Sequence, residues 1–373
     1  MKDITLILLA AGSSSRFKLD VKKQWLRINH LPLWQFVTNS LQKQLDFKKI
    51  IITSSTDDIE FMKNYADFTF VEGSSTRQFS LKNALKHVDT EFVLVSDIAR
   101  ACISESYLNK IISLKDSADC IVPYLNVTDT IVYDGNTIDR DKVKRIQTPQ
   151  LSKTAALNSA LNSDEDFTDE SSAIVANGGT REFVLGDEDA LKITHISDLK
   201  NIPCLEAPSS DTLSGTGFDV HAFEDGKKML LGGVIIDSDF GFKAHSDGDV
   251  AIHALIDALL GAAGLGDIGM LFPDNDDRFK GIDSKELLSI VVKKINNFGF
   301  VIVNVDITIM AEVPRVAKYK LPIRKVLSKI LNIEMSRVNI KATTTEKLGF
   351  IGRSEGIGVM ANANLKYYNW KED

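Results

Sequence analysis

The chain has 373 residues, of which 44% are hydrophobic and 25% are charged, and its formal net charge is -7. This length is comfortable for two domains, and the composition is that of an ordinary soluble globular protein. Acidic residues outnumber basic ones on both sides of residue 210, which argues against a general nucleic-acid binder. Small anionic ligands need only a few local cations and are still compatible with this charge.

The first 200 residues alternate short apolar runs with amphipathic segments. Strands are predicted at 4–10, 49–54, 68–72, 91–96 and 119–124, and helices at 33–45, 77–86 and 107–114. This alternation predicts an α/β domain with a mostly parallel, twisted, Rossmann-like sheet that binds ligands beyond the carboxyl ends of its strands. The short runs around 129–145 break the pattern and predict a hairpin excursion, which is a common route to dimer contact.

A linker is predicted at 204–213, where prolines and serines replace the periodic pattern. The predicted domains are therefore 1–203 and 214–373. In the second, strands are predicted near 215–220, 300–310, 337–343 and 357–366, and helices at 249–262, 283–297 and 317–331. This order predicts an α+β domain with helices packed on one face of a sheet.

The cysteines and the N-terminus bear on the cellular compartment. Cys102, Cys120 and Cys204 are scattered and odd in number, so they match neither a disulfide framework nor a zinc ribbon. The first residues contain a short apolar run, but Asp3 before it and Arg16 after it argue against a signal peptide. No run reaches the length of a membrane span. We therefore expect a cytoplasmic protein.

The segment 9–17, LAAGSSSRF, directly follows the first predicted strand. Small residues at such a turn let backbone N–H groups approach phosphate oxygens, and Arg16 and Lys23 could then meet the charge. Asp97 follows another apolar strand, where a carboxylate can hold Mg²⁺ against phosphates. Taken alone, the loop is equally typical of a plain strand-to-helix turn.

Further polar stretches follow in order at 73–80, 95–100, 139–150, 167–173 and 189–199. With this ordered set, residues 1–203 resemble the 2-C-methyl-D-erythritol 4-phosphate cytidylyltransferases. That family joins CTP to methylerythritol phosphate and releases diphosphate. The resemblance implies a nucleotidyltransferase that works by charge neutralisation and alignment, because the attacking phosphate is already an anion.

The resemblance also implies individual roles in this domain. Catalytic roles fall to Arg16, Lys23, Arg140 and Lys192, CTP contacts to Ala10, Ala11, Gly12, Ser80 and Asp97, and methylerythritol phosphate contacts to Thr130, Arg140, Thr148 and Lys192. Two departures from the family pattern concern the nucleotide pocket: the loop GSSSR lacks a second glycine, and SDIARA replaces the usual His-Asp-Ala-Ala-Arg-Pro. Asp97 survives the second departure, so the implied magnesium role is kept.

Three of the six histidines fall between 221 and 253. Asp219 and His221 alternate on a predicted strand and so share one face, while His253 and Asp257 are one turn apart on a predicted helix. One carboxylate and two imidazoles with an open fourth position are typical of a functional zinc site. A lone histidine in an apolar helix is more often a packed core residue. Asp257 is expected to orient a ligand histidine.

Four stretches of the second half resemble the 2-C-methyl-D-erythritol 2,4-cyclodiphosphate synthases: GFDVHAF, AHSDGDVAIHAL, GLGDIGMLFPD and KATTTEKLGF. The resemblance covers 214–367. It implies a trimer with active sites between subunits, and a reaction in which the 2-phosphate of a cytidine diphosphate derivative attacks the β-phosphorus, closes a ring and expels CMP.

The second resemblance assigns residues as follows. Zinc ligands are Asp219, His221 and His253, and transition-state groups are His245 and Thr344. Substrate contacts are Asp219, His221, His245, Ser246, Asp267, Ile268, Gly269, Phe272, Pro273, Asp274, Asn275, Asp276, Thr343, Thr344, Thr345, Glu346, Phe350 and Arg353. Magnesium falls to Glu346 here and to Asp97 in the first domain.

Together the two resemblances imply a bifunctional enzyme of the methylerythritol phosphate route to isoprenoid precursors, a transferase joined to a phosphorus–oxygen lyase. A kinase step lies between the two reactions in that route, and the chain has no kinase motif, so a separate kinase is expected. A trimeric second domain and a dimeric first domain together predict a hexamer. Two alternatives are open: a sugar-phosphate nucleotidyltransferase fused to a zinc phosphohydrolase, and a nucleotide- and zinc-binding sensor.

Overall fold

The computed structural model describes residues 3–372 except 13, 15, 16, 163, 164, 245, 246, 274 and 280. The chain divides into two units. The first comprises Met1–Pro208 together with Asn369–Asp373, and the second comprises Ser209–Tyr368. The division lies inside the segment predicted as a linker, but the C-terminal residues differ from the expectation that the second domain runs to 373.

The first unit alternates strands and helices. Its strands are β1 Ile4–Leu9, β2 Arg27–Ile28, β3 Leu31–Pro32, β4 Lys49–Ser54, β5 Thr69–Glu72, β6 Phe92–Asp97, β7 Cys120–Asn126, β8 Ile131–Tyr133, β9 Asn136–Ile138, β10 Lys144–Ile146, β11 Gln150–Lys153 and β12 Arg181–Leu185. Its helices are α1 Leu33–Gln44, α2 Thr56–Met62, α3 Arg77–Leu85, α4 Glu105–Ser113, α5 Thr154–Ala160 and α6 Glu170–Ala176.

The main sheet of the first unit has, among its described residues, the order β10-β7-β11-β6-β1-β4-β5, with β12 paired to β7. Neighbours β6, β1, β4 and β5 are parallel, while β11 inserts antiparallel between β6 and β7. All six residues of β1 are buried, so both faces of the sheet are covered. Leu9 pairs with Asp97, which brings the carboxyl ends of β1 and β6 to the same edge of the sheet.

The helix positions follow from local signals. Helices α2, α3 and α4 begin after Ser55, Thr76 and Ser104, whose hydroxyls each accept a hydrogen bond from a backbone N–H of the first turn. Residues of α3, α5 and α6 pack with alternate residues of β1 and β6 in one apolar cluster. The predicted hairpin excursion is present, since β8 pairs antiparallel with β9.

The C-terminal tail is part of the first unit. Trp370 is buried, and its indole Nε1 donates a hydrogen bond to the carbonyl oxygen of Arg27 at 2.8 Å. Arg27 is also buried, and its guanidinium lies against the rings of Trp25 and Tyr65. A large buried aromatic side chain therefore joins this unit from the far end of the sequence.

The cysteine prediction was wrong for two of the three residues. Cys102 and Cys204 form a disulfide across a Cα–Cα distance of 5.7 Å, and Cys120 is a buried free thiol. Cys102 and Cys204 stand 102 residues apart in sequence, and only the fold brings them together. No helix of the described residues is long and apolar enough to cross a bilayer.

The second unit is an α+β arrangement. Its strands are β13 Leu213–Asp225, β14 Met229–Leu231, β15 Val234–Ile236, β16 Phe240–Phe242, β17 Phe300–Met310, β18 Val338–Thr343 and β19 Gly356–Tyr367. Its helices are α7 Val250–Ala263, α8 Ile268–Leu271, α9 Ser284–Asn297, α10 Lys320–Leu331 and α11 Gly349–Gly352. The sheet order is β16-β13-β19-β17-β18.

Helix α7 lies unusually close to β13 because two glycines leave room for it. A Cβ on Gly217 would meet the carbonyl oxygen of Ala254 and would lie 2.7 Å from the backbone nitrogen of Ala258. A Cβ on Gly215 would likewise meet α7 backbone atoms. The two glycines point toward α7, so the alternate residues Phe218 and Val220 point away from it and are exposed.

We predict that Gly217→Ala destabilises the second unit by about 1–3 kcal/mol, because the added methyl group collides with helix backbone that cannot yield. Urea unfolding of the full chain, followed by circular dichroism, measures this. The matched control is Gly261→Ala on α7, whose added Cβ would lie 4.0 Å from the Gly215 Cα. Equal unfolding midpoints for wild type and Gly217→Ala would disprove the close contact.

Candidate active sites

A cavity of about 500 Å³ lies where β1 and β6 end. Seven of the predicted site residues line it: Ala10, Ala11, Gly12, Lys23, Ser80, Asp97 and Lys192. Arg16 lies outside the described residues. Thr130, Arg140 and Thr148 are described but are not among the lining residues. The sheet thus brings the predicted nucleotide contacts to one cavity and leaves three of the predicted sugar-phosphate contacts elsewhere.

Asp97 is held between two cations in the cavity wall. Its Oδ1 lies 3.2 Å from Arg77 Nε, and its Oδ2 lies 2.6 Å from Lys192 Nζ. Burial alone would raise the pKa of this carboxyl, but Arg77 and Lys192 outweigh it and lower the pKa to about 2. Asp97 is therefore ionised at any physiological pH, and each of its oxygens is paired with a cation.

Arg77 is a site residue that the sequence analysis did not single out. Its Nη1 lies 2.6 Å from Oε1 of Glu170, which is fully buried, so Arg77 bridges Glu170 and Asp97. Burial raises the pKa of the Glu170 carboxyl, and Arg77 opposes that rise. Both residues stood in the ordered polar stretches, but no spacing in the sequence links two residues 93 positions apart.

Lys23 enters the cavity from a short 3₁₀ helix, Lys23–Trp25. Its Nζ donates to the carbonyl oxygen of Ile193 at 2.5 Å. Its two neighbours are fixed by one buried carboxylate: Asp58 accepts from Lys22 Nζ at 2.8 Å and from Gln24 Nε2 at 2.9 Å. Asp58 therefore fixes the residues on both sides of Lys23, which is directed at the cavity.

Ser80 lines the cavity, and its hydroxyl is already hydrogen-bonded to the neighbouring backbone. Its Oγ accepts from the backbone N–H of Ser74 at 2.9 Å and donates to the carbonyl oxygen of Thr76 at 2.9 Å. These bonds hold the loop between β5 and α3 against the cavity. Gly73 is needed in that loop, because a Cβ there would collide with Ala11.

Thr148 is buried, and its hydroxyl accepts a hydrogen bond from Arg100 Nε at 3.0 Å. Arg100 Nη1 also donates to the carbonyl oxygen of Ala190 at 2.6 Å. Because Arg100 forms a backbone bridge with Lys192, this buried arginine ties the loop after β6 to the segment that carries Lys192.

Thr130 and Arg140 lie beside the β8–β9 hairpin and are exposed. Arg140 Nη1 donates to the carbonyl oxygen of Thr128 at 2.6 Å. Neither residue lines the cavity of its own chain.

In the second unit, Asp219, His221 and His253 come together as the sequence predicted. Their ligand atoms all lie within 4.8 Å of one another. Asp219 Oδ2 is 3.2 Å from His221 Nδ1 and 3.3 Å from His253 Nδ1. The close approach of α7 to β13 brings this about, because His253 stands next to Ala254, the residue nearest to Gly217.

The donor set fits a zinc ion. Within the described part of the chain, Asp219 Oδ2 and His221 Nδ1 are buried and lack a hydrogen-bond partner. Burial raises the pKa of Asp219, but the two histidines outweigh it and hold the pKa well below the usual range. Burial lowers the pKa of His253, and Asp219 more than reverses this. Three converging side chains, two of which have buried atoms without a hydrogen-bond partner, are typical of a metal site.

Asp257 was expected to orient a ligand histidine, but among the described residues it forms no hydrogen bond to His221 or His253. Its Oδ1 accepts a hydrogen bond from the backbone N–H of Ile268 at 2.8 Å. The hydroxyl of Ser284 takes the expected position instead, with Oγ 3.0 Å from His253 Nε2. No local pattern points to Ser284, because it stands 31 residues beyond His253.

The predicted methylerythritol pocket begins at α8, which Asp257 ties to α7. Asp267 caps this short helix by accepting from the backbone N–H of Met270 at 2.9 Å. The other described members of the set are Ile268, Gly269, Phe272, Pro273, Asn275 and Asp276. Asp274, like His245 and Ser246, lies outside the described residues.

The predicted diphosphate and magnesium residues follow a strand that is distant from the strand of Asp219 and His221 within one chain. Val220, Gly358, Met310 and Thr343 pair in one row across β13, β19, β17 and β18. Thr343 is therefore three strand spacings, roughly 14 Å, from the strand that carries Asp219 and His221. Thr344, Thr345 and Glu346 follow Thr343 in the chain and start from that distant strand.

This second group has its own internal order. Thr344 Oγ1 donates to Glu346 Oε1 at 2.8 Å. Glu312 accepts from the backbone N–H groups of Thr345 at 3.2 Å and Lys347 at 3.1 Å. Phe350 is partly exposed, and the exposed Arg353 pairs with Glu355.

Comparison with known proteins matches both halves of the chain. Residues 4–203 match the sequence model of 2-C-methyl-D-erythritol 4-phosphate cytidylyltransferase, IspD, and residues 213–366 match that of the YgbB family. The bifunctional enzyme IspD/IspF of Sulfurimonas denitrificans is 72% identical over 98% of this chain and 95% of that protein. The chain belongs to the bifunctional IspD/IspF family.

Other members agree over the full length. The bifunctional enzyme IspD/IspF of Aliarcobacter butzleri is 55% identical over the whole of both chains. The structure of the bifunctional IspDF from Campylobacter jejuni superposes with a TM-score of 0.92 at 47% identity, covering 99% of this chain and all of that one. The predictions of an α/β nucleotidyltransferase domain, an α+β domain and a bifunctional cytidylyltransferase and cyclodiphosphate synthase are confirmed.

We predict that Asp58→Asn lowers the rate of cytidylyl transfer roughly 10–100-fold, because Lys22 and Gln24 lose the charge that holds them beside Lys23. Steady-state kinetics of the first reaction measure this, and the second reaction of the same chain is the internal control. Asp57→Asn is the matched control variant, since Asp57 is the exposed neighbour on α2. Equal rates for the two variants would disprove the positioning role of Asp58.

We predict that Asp97 makes the first unit sensitive to acid. Because its folded pKa of about 2 lies below the ordinary value of 3.8, its stabilising contribution is fully present above pH 4 and disappears as pH falls toward 2. The contribution is about 2 kcal/mol. Urea unfolding at steps between pH 5 and pH 2 should show a steeper loss of stability in wild type than in Asp97→Asn. Parallel curves would contradict it.

Proposed function

We propose that residues 1–203 transfer the cytidylyl group of CTP to 2-C-methyl-D-erythritol 4-phosphate and that residues 214–373 cyclise the phosphorylated product and release CMP. The substrates of the first reaction follow from the family. The observation that carries the proposal is the presence, in one chain, of a cavity ringed by cations and of a carboxylate–imidazole cluster with unsatisfied atoms.

In the first site, we assign charge neutralisation to Arg16, Lys23 and Lys192, as the family resemblance implies, and add Arg77. An incoming phosphate is itself the nucleophile, so the site needs alignment and cations rather than a general base. The backbone of Ala10, Ala11 and Gly12 forms the cavity wall at the end of β1, where N–H groups can bind phosphate oxygens.

Magnesium at the first site is a proposal supported by Asp97. Mg²⁺ is usually held by one or two carboxylates together with substrate phosphates. Asp97 offers one carboxylate, but Arg77 and Lys192 hold both of its oxygens. We therefore propose that Asp97 would hold Mg²⁺ only when CTP is bound, because the phosphates of CTP would then compete with the carboxylate for Lys192.

In the second site, we assign zinc to Asp219, His221 and His253, where it would act as a Lewis acid toward the diphosphate. His245 and Thr344 are the proposed transition-state groups, Ser246, Phe350 and Arg353 further substrate contacts, and Glu346 the proposed magnesium ligand. The row of pairs across the sheet supports a site shared between subunits. Thr343, which precedes Thr344 and Glu346, lies three strand spacings, roughly 14 Å, from Val220 on the strand that carries Asp219 and His221.

A trimer of the second domain is supported by the sheet face that points away from α7. Phe218 and Met360 pair across β13 and β19 on that face and are about half exposed. For the first domain, the exposed hairpin carrying Val132 and Tyr133 supports a dimer that would offer Thr130 and Arg140 to a partner's cavity. Combined, the two contacts give the proposed hexamer.

Two further expectations are proposals as well. A separate kinase is required, because phosphorylation of the first product must precede cyclisation. We also propose a cytoplasmic location, where CTP is available to the first reaction; the Cys102–Cys204 pair lends that location no support.

We predict diphosphate release from CTP and methylerythritol phosphate with Mg²⁺, followed by CMP and a cyclic diphosphate once a purified kinase and ATP are added. Phosphorus NMR distinguishes these products. Lys192→Ala should abolish the first stage alone, and Asp219→Ala the second stage alone. Lys200→Ala and Asp225→Ala, which replace exposed charges in the same two regions, are the matched controls.

Each alternative function has its own outcome in this assay. Free phosphate in place of the cyclic product would identify a zinc phosphohydrolase. Binding of CTP without diphosphate release would make the first domain a binding module and would overturn half of the proposal.

A further inference from the structure

The two ring nitrogens of His253 face different partners. Nδ1 lies 3.3 Å from Asp219 Oδ2, on the side of the proposed zinc ion, and Nε2 lies 3.0 Å from Ser284 Oγ. A histidine can bind a metal only through a nitrogen that carries no proton. Which nitrogen that is depends on the hydrogen bond that the other one makes.

The hydroxyl proton of Ser284 is already donated to another residue. Ser284 Oγ forms a short hydrogen bond to Asp247 Oδ1, and its backbone N–H donates to Asp247 Oδ2 at 2.9 Å. A carboxylate only accepts hydrogen bonds, and a hydroxyl has a single proton. Toward His253, the Ser284 oxygen can therefore act only as an acceptor, so the proton of the neutral imidazole belongs on Nε2 and Nδ1 is bare.

We propose that Asp247 and Ser284 are positioning residues that hold His253 in the tautomer that presents Nδ1 to the zinc ion. The proposal rests on the zinc site proposed above. It extends the site beyond Asp219, His221 and His253 to a relay from Asp247 through Ser284 to His253, which links the start of α9 to α7.

Helix capping does not explain the hydrogen bond between Ser284 Oγ and His253 Nε2. The N-cap of α9 is Asp283, whose side chain accepts from the backbone N–H of Lys285 at 2.8 Å. The N-cap of α7 is Asp249, whose side chain accepts from the backbone N–H of Ile252 at 3.1 Å. Neither helix needs the Ser284 hydroxyl for its first turn.

Two substitutions perturb the relay differently. Ser284→Ala removes the acceptor from His253 Nε2, so the tautomer is no longer fixed. Asp247→Asn reverses the relay. The amide oxygen stays opposite the Ser284 N–H, which at 2.9 Å is the nearer of the two backbone donors, and the NH₂ group replaces Oδ1 at the cost of the 3.3 Å contact with the Asp249 N–H. The NH₂ group then donates to Ser284 Oγ, and the hydroxyl donates to Nε2. The imidazole proton moves to Nδ1, where it blocks the metal.

The test is zinc affinity of the full-length chain, measured by competition with a chromophoric chelator, together with the visible spectrum of bound Co²⁺. We expect Ser284→Ala to weaken zinc binding 10–100-fold and Asp247→Asn at least as much, with altered Co²⁺ spectra. Ser284→Thr, which keeps a hydroxyl at this position, should retain most of the zinc affinity of wild type. Ser289→Ala is the matched control on α9, because its hydroxyl donates to the Lys285 carbonyl.

The outcomes separate this relay from the site on which it rests. Zinc binding by Ser284→Ala and Asp247→Asn within twofold of wild type would overturn the relay. Absence of stoichiometric zinc binding in wild type would instead overturn the proposed metal site. Unchanged circular dichroism and an unchanged urea midpoint of the second unit in both variants would verify that this unit is folded. A loss common to Ser284→Ala and Ser284→Thr would count against a role for the hydroxyl.

Discussion

A carboxylate taken out of water must meet positive charge or hydrogen-bond donors, and each unit of this protein builds its site around one such carboxylate. Asp97 at the end of β6 meets Arg77 and Lys192, and Asp219 within β13 meets His221 and His253. The groups that offset the cost of burying each carboxylate are also those that a phosphate or a metal would use. Before substrate arrives, the cations of the first site are thus already oriented toward the cavity.

Further buried carboxylates hold the elements that carry these groups. Asp58 fixes both neighbours of Lys23, and Glu170 holds Arg77 from behind. Asp249 accepts from the backbone N–H groups of Gly232 at 2.8 Å and Gly233 at 2.6 Å, which anchors the start of α7. Burial raises the pKa of Asp249, and these N–H groups oppose the rise. Precision at both sites therefore depends on buried carboxylates that hold the elements carrying the site residues.

The pattern of short segments was enough to predict most of the fold. The strand predicted at 300–310 has those bounds in the structure, and the helix predicted at 249–262 is Val250–Ala263. The cluster of Asp219, His221 and His253 was also predictable, since alternation on a strand and one histidine on an apolar helix are local features. Contacts between distant residues were not. Arg77 with Glu170, Cys102 with Cys204, and Trp370 with Arg27 have no signal in a single sequence.

Hydrophobic period and turn chemistry act over a few residues, so they are sufficient to predict which residue types stand in which strands and helices. The partners of each residue depend on the tertiary structure. It placed Ser284 rather than Asp257 beside His253, and it set Thr343 three strands away from Val220. Strand order and helix packing depend on how the whole apolar surface is buried. The spacing of residues along the chain does not specify that arrangement.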